Sequence, residues 1–222
     1  INIAINKEYI EIQKYAFRKY KIKTVENEHT HLVPEELEQL ERLSLTDKHM
    51  KLQKSLDAFL FCCYAGMRYS DFTNLSKKNI VDINQETWLI YKSVKTGTEV
   101  RLPLYLLFAG KGIVILNKYR NNLEDFFRLR DNSNINKDLI IIAKLAGLSK
   151  KISFHTARHT NATLLIYNGV NITTVQKLLG HKSVKTTQVY TNIMDMTIVH
   201  DLEKIKQAAL GIKKKTDNSF NK

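Results

Sequence analysis

One stretch of this chain has a different hydrophobic period from all the rest, and it limits the fold more than any other feature. Between residues 87 and 104, "TWLIYKSVKTGTEVRLPL", β-forming residues lie on both sides of a Thr96-Gly97 turn. That pattern predicts a hairpin with Lys95 at its tip. On both sides of it the apolar residues recur at helical spacing. Leu52, Leu56, Phe59, Leu60 and Cys63 mark a buried helix ending near Gly66, and "VPEELEQLERL" opens another with Pro34 in its first turn. "GIVILNKYRNNLEDFF", "NINKDLIIIAKLAGL", "SFHTARHTNATLLIYNG" and "NITTVQKLLG" read as further helices. The expected fold class is mainly α with a small antiparallel β-sheet, an α+β arrangement.

With 222 residues, 43% of them hydrophobic, the chain can bury a core of its own. Thirty-five Lys and Arg against 22 Asp and Glu leave a net charge of +13, the footprint of a protein that meets polyanions, with nucleic acid as the leading partner. The apolar runs are too short and too interrupted to span a bilayer, so no membrane partner is expected. Cys62 and Cys63 are adjacent within an apolar helical run and cannot build a disulfide framework. They point to buried thiols and a cytoplasmic location.

Residues 1–30 are basic and end in a polar stretch, read as a linker from a missing N-terminal region. The chain begins with Ile1 rather than Met, which agrees with that reading. Residues 31–212 form the expected main domain. Its closing helix, about 194–210, carries Met194, Ile198, Leu202, Ile205 and Ala209 on one stripe before Gly211. Residues 213–222 are a basic tail, expected to be disordered.

The candidate chemistry lies in four places. In "HTARH", His155 and Arg158 are three apart at the start of a predicted helix, where free N–H groups and the dipole favour an oxyanion. Taken alone, His155 could equally be a helix cap and Arg158 a solvated surface residue. In "AGMRYSDFTNL", Arg68 follows the end of the apolar helix, and Ser70 is a candidate cap for the next; an arginine fork can grip two phosphate oxygens. Lys95 decorates a turn, as lysines often do for solvation. In "GHKSVKTTQVYTN", Gly180 reads as the stop of a short helix, His181 leaves it in a fixed direction, and Tyr190 follows nine residues later. A phenol ionises near pH ~10, so as a nucleophile it needs a base and a charge-stabilising site.

Each residue alone has a bland explanation, but their order does not. Arg68, Lys95 on a hairpin, His155-x-x-Arg158, Gly180-His181 and then Tyr190 resemble the tyrosine recombinase (phage integrase) family over about residues 31–206. "HTARHT" and "LGHKSVKTTQVY" look in particular like integrases of conjugative and mobilisable elements from Bacteroides-like bacteria. The resemblance implies that fold and a recombinase that cleaves and rejoins double-stranded DNA. Tyr190 would be the nucleophile, Arg68, Arg158 and His181 would stabilise the phosphate, and Lys95 would protonate the leaving 5′ oxygen. His155 would help to move the tyrosine proton.

No cofactor and no metal are implied, and a tetramer on the recombination site is. Two departures stand out: Asn161 occupies a position where the family commonly has an aromatic or aliphatic residue, and Thr156-Ala157 replaces the usual leucine before "RHT". The alternatives are a type IB topoisomerase-like nicking-closing enzyme and a catalytically silent DNA-binding module. A zinc hydrolase lacks a ligand pattern, because His155 and His159 have no accompanying Glu at a known spacing.

Overall fold

The computed structural model describes residues 2–9, 11, 13, 30–190 and 206. A short helix α1 (Asn2–Asn6) lies within the basic N-terminal stretch. The main body begins with α2 (Pro34–Glu41), opened by Pro34 and two acids in the first turn, as the sequence suggested. The central helix is α3 (Gln53–Ala65), in which every residue from Ser55 to Ala65 is buried. An apolar stripe alone would cover one face, but α3 is wrapped on all sides. Its polar residues are therefore paired: Ser55 donates to Asp138 at 2.6 Å, and Asp57 accepts from Lys118 at 3.0 Å and Tyr119 at 2.8 Å.

Gly66 ends α3 in the left-handed region, with φ 65°. A short helix α4 (Tyr69–Thr73) follows, with Arg68 at its N-cap position. Ser70, expected to cap it, lies inside the helix, because the turn out of Gly66 brings the chain into helical geometry two residues earlier. The sheet holds three strands among the described residues: β1 (Ile80–Ile83), β2 (Glu86–Lys92) and β3 (Glu99–Pro103), antiparallel in that order. The expected hairpin is β2–β3, with Tyr91 opposite Val100 and Leu89 opposite Leu102. β1 was not foreseen; it pairs with β2 through a tight turn at Asn84-Gln85, both at positive φ.

The stretch expected as one helix after the sheet is two, α5 (Lys111–Lys118) and α6 (Leu123–Phe127). The chain folds back between them, and Tyr119 stacks on Phe126 with ring centroids 4.1 Å apart, a contact that a continuous helix could not make. Then come α7 (Asn132–Leu145), α8 (Phe154–Tyr167), α9 (Ile172–Leu179) and α10 (Lys185–Gln188). Phe61, Phe72, Phe126, Phe127 and Phe154 form an aromatic cluster in the core. Both cysteines are buried free thiols, pushed well above their ordinary ionisation range by burial. Among the described residues no helix is long and apolar enough to cross a membrane. The expected closing helix and the basic tail lie outside the described residues, apart from Lys206.

Candidate active site

Arg158 is the centre of the site, and its position follows from α8. Residues three and four apart share a helix face, and the α8 face that carries Arg158 is turned into the protein. Its side chain is 1% exposed. The guanidinium donates to the Gly66 carbonyl at 2.7 Å and to the Leu179 carbonyl at 2.6 Å. Both carbonyls sit at helix C-termini, those of α3 and α9, where the dipole is negative and a cation is favoured. Arg158 thus pins two helix ends together. Burial pulls its pKa down to about 10, and the charge of Arg68 pulls in the same direction.

Gly66 admits this arrangement because it has no side chain. A Cβ there would lie 2.6 Å from Asn161 Oδ1 and 2.8 Å from a Leu179 methyl. Asn161, the departure noted in the sequence, is buried beside Arg158 and donates from Nδ2 to the Cys63 carbonyl at 2.9 Å. It satisfies one of the last carbonyls of α3, a job that an apolar residue could not do.

Arg68 is held from the side by Asp71, 2% exposed, at 3.5 Å, and it donates to Ser93 Oγ at 3.3 Å. The same Asp71 accepts from the Val94 N–H at 2.8 Å and from Ser93 Oγ at 3.3 Å. One carboxylate therefore fixes both an arginine and the base of the turn bearing Lys95. Lys95 itself is exposed. The turn also reaches the end of α9, where Thr96 Oγ1 donates to the Gly180 carbonyl at 3.2 Å. Asp71 was not singled out in the sequence, and its role is visible only once the β2–β3 turn is brought against α4.

Gly180 ends α9 at φ 62°, so His181 is turned inward, 8% exposed. Its Nδ1 pairs with Thr187 Oγ1 at 2.9 Å. Burial lowers its pKa to about 4, and the charges of Arg158, Arg68, His155 and Lys95 push the same way. The imidazole is neutral at pH 7.

Tyr190, just past α10, is 5% exposed, and its hydroxyl lies 3.0 Å from His159 Nδ1. Burial raises the phenol above its ordinary value, while Arg158 and Arg68 pull it back. His155 is exposed on the first turn of α8, and its ring stands edge-on to His159 with centroids 4.5 Å apart. The helix is capped not by His155 but at Ser153, whose N–H donates to Thr156 Oγ1 at 3.0 Å. Hydrogen bonds bring the segments of the six residues together: Arg158 grips the carbonyls two places before Arg68 and two before His181, Thr96 beside Lys95 bonds Gly180 beside His181, and Tyr190 meets His159 on the helix that carries His155 and Arg158. His159 is an addition. A histidine one place after the arginine gave no signal, because its partner lies 31 residues away. Among the described residues no group of three or more His, Cys, Asp or Glu could hold a metal ion.

A mainly helical domain with a three-stranded sheet, its basic groups and one phenol gathered where helix ends meet, has the catalytic-domain fold of the tyrosine recombinases. The chain belongs to the phage integrase family, whose sequence pattern matches residues 30–196. It is similar to a tyrosine recombinase of Pseudothermotoga lettingae, 30% identical over 181 residues, covering 79% of this chain and 60% of that protein. It is also similar to the tyrosine recombinase XerD of Bifidobacterium longum, 50% identical over 171 residues, covering 69% of this chain and 54% of the relative. The chain thus spans little more than half the length of these two proteins. Among solved structures, a lambda integrase tetramer bound to a Holliday junction shares the fold. Its TM-score is 0.63 at 19% identity, covering 85% of this chain and 55% of the other.

Proposed function

We propose that this chain provides the catalytic domain of a site-specific recombinase that cuts and rejoins double-stranded DNA through a 3′-phosphotyrosyl intermediate. The observation that supports this most is the hydrogen bonding that gathers the site. Arg158 binds the carbonyls two places before Arg68 and two places before His181, and Tyr190 pairs with His159, the next residue of α8, so two arginines, a histidine and the phenol are brought to one place. A phosphodiester entering it would meet preorganised donors where charge develops in the transition state.

In this reading the Tyr190 oxygen bonds to phosphorus as the P–O5′ bond breaks, and Lys95 supplies the proton for the departing 5′ oxygen. Arg68 and Arg158 neutralise the non-bridging oxygens. His181, neutral, accepts from Thr187 at Nδ1 and presents its Nε2–H to one of them. His155 serves the traffic of the phenolic proton. The covalent link conserves the phosphodiester energy, so religation to a new 5′ end needs no external energy source and no cofactor.

The finer assignment is integration or excision of a mobile element, supported by the resemblance of "HTARHT" and "LGHKSVKTTQVY" to integrases of elements from Bacteroides-like bacteria. Assembly as a tetramer on DNA is proposed by likeness to the lambda integrase complex. In this reading the protein works in the cytoplasm. The test is incubation of the full-length protein with a nicked duplex spanning an end of its element, followed by a denaturing gel. A DNA-linked protein band with the native chain, absent with Tyr190→Phe, is expected. An equal band with Tyr190→Phe would overturn the proposal.

A further inference from the structure

We propose that His159, not His155, is the group that directly takes the phenolic proton of Tyr190 when the tyrosine attacks phosphorus. The inference rests on the reading of Tyr190 as the nucleophile and adds a catalytic residue to it. The basis is contact with the reacting atom. His159 Nδ1 lies 3.0 Å from the Tyr190 hydroxyl, inside the range from which a positioned base removes a proton. The ring is 7% exposed and the phenol 5%, so bulk water is kept from competing for that proton.

The contact allows proton transfer in this direction. The phenol can donate to Nδ1 when the neutral imidazole carries its own proton on Nε2. Burial disfavours the phenolate, which is why a base in direct contact is needed, and Arg158 and Arg68 offset part of that cost. The exposed His155 ring stands one helical turn earlier, edge-on to His159 with centroids 4.5 Å apart. During cleavage the O–H bond of Tyr190 breaks, its proton moves to His159 Nδ1, the Oη–P bond forms and the P–O5′ bond breaks. The 5′ oxygen leaves with a proton from Lys95. Religation runs the same transfers backwards, so His159 and Lys95 each end as they began.

A residue that merely holds the phenol would show the same contact, and so would one that locks it in a resting position. The variants His159→Asn and His159→Ala separate these cases. Asn places an amide oxygen near the position of Nδ1, keeping an acceptor for the phenol without a base able to carry its proton. The assay is single-turnover adduct formation on the nicked duplex, with DNA binding measured in parallel and with 3-fluorotyrosine, a more acidic phenol, placed at position 190.

The proposal expects both variants to bind DNA as the native protein does and to cleave at least about 100-fold more slowly. Fluorotyrosine should restore much of the loss in His159→Asn while changing the native protein little. Native-level cleavage by His159→Asn would mean that the phenol is only held, and faster cleavage by either variant would mean that it is locked. A loss that fluorotyrosine leaves untouched would mean a structural role. Each of these three results overturns the assignment. Failure of the native protein to form any adduct would instead count against the recombinase reading itself.

Discussion

Replacing Arg158 by Met keeps the apolar stem of the side chain but removes every donor and the charge. Two opposing effects can be sized from the structure. The lost bonds to the Gly66 and Leu179 carbonyls come from a charged donor, and such bonds contribute about 1.5–3 kcal/mol each, or about 3–6 kcal/mol together. Against this, burial and then the charge of Arg68 pull the pKa down to about 10. That shift means the fold carries a penalty of about 3 kcal/mol for keeping the charge, and the penalty disappears with the substitution. The net loss should be about 0–3 kcal/mol. A site that costs nearly as much as it returns in stability is explained by what the charge does for an incoming anion, so cleavage should fall about 100-fold or more. Urea unfolding followed by intrinsic fluorescence, together with single-turnover cleavage, measures both. A loss of stability well above 3 kcal/mol with near-native cleavage of the folded fraction would refute the reasoning and leave Arg158 as a structural clamp.

Three other outcomes are expected. Gly66→Ala must hold a left-handed backbone, costing about 1–2 kcal/mol, and its Cβ meets Asn161 at 2.6 Å, so unfolding experiments should show a loss of at least about 2 kcal/mol. A loss below 0.5 kcal/mol would show that the Arg158 pocket is slack. An unfolded histidine titrates near 6.5 and His181 near 4, so between these values the unfolded chain binds more protons and stability falls as pH falls. The loss attributable to His181 is at most about 3 kcal/mol over that window, and His181→Gln should flatten the dependence; an unchanged curve contradicts the assignment. Thr187→Val keeps the volume but removes the hydroxyl at His181 Nδ1, so cleavage should drop several-fold with DNA affinity unchanged, and native-level cleavage would show that Thr187 does not orient the imidazole.

What could be read from the residues depended on range. Gly66 and Gly180, each after an apolar helical run, announced left-handed helix ends, and the period change at residues 87–104 announced the β2–β3 hairpin. These are local signals. β1 is only four residues long and follows a polar turn, so it offered too few alternations to read. The break between α5 and α6 is set by Tyr119 stacking on Phe126, which spacing does not encode. Around the six residues picked out as an ordered motif, the partners were not legible. The carbonyls that Arg158 grips are 92 and 21 positions away, Asp71 reaches across to a turn 22 residues on, and His159 meets Tyr190 across 31. Asn161 looked like a defect in the pattern, and the structure gives it a carbonyl to satisfy. Such contacts come from the packing of α3, α4, α8 and α9 around one another, which no window along the chain contains.

The account stands or falls on a single oxygen. Trapping the DNA-linked protein, digesting both components and sequencing the modified peptide by mass spectrometry identifies the residue that bears the 3′-phosphate. The peptide containing Tyr190 should be the one modified. A phosphate on any other side chain, or none on a protein that cleaves its site, would contradict the arrangement described above.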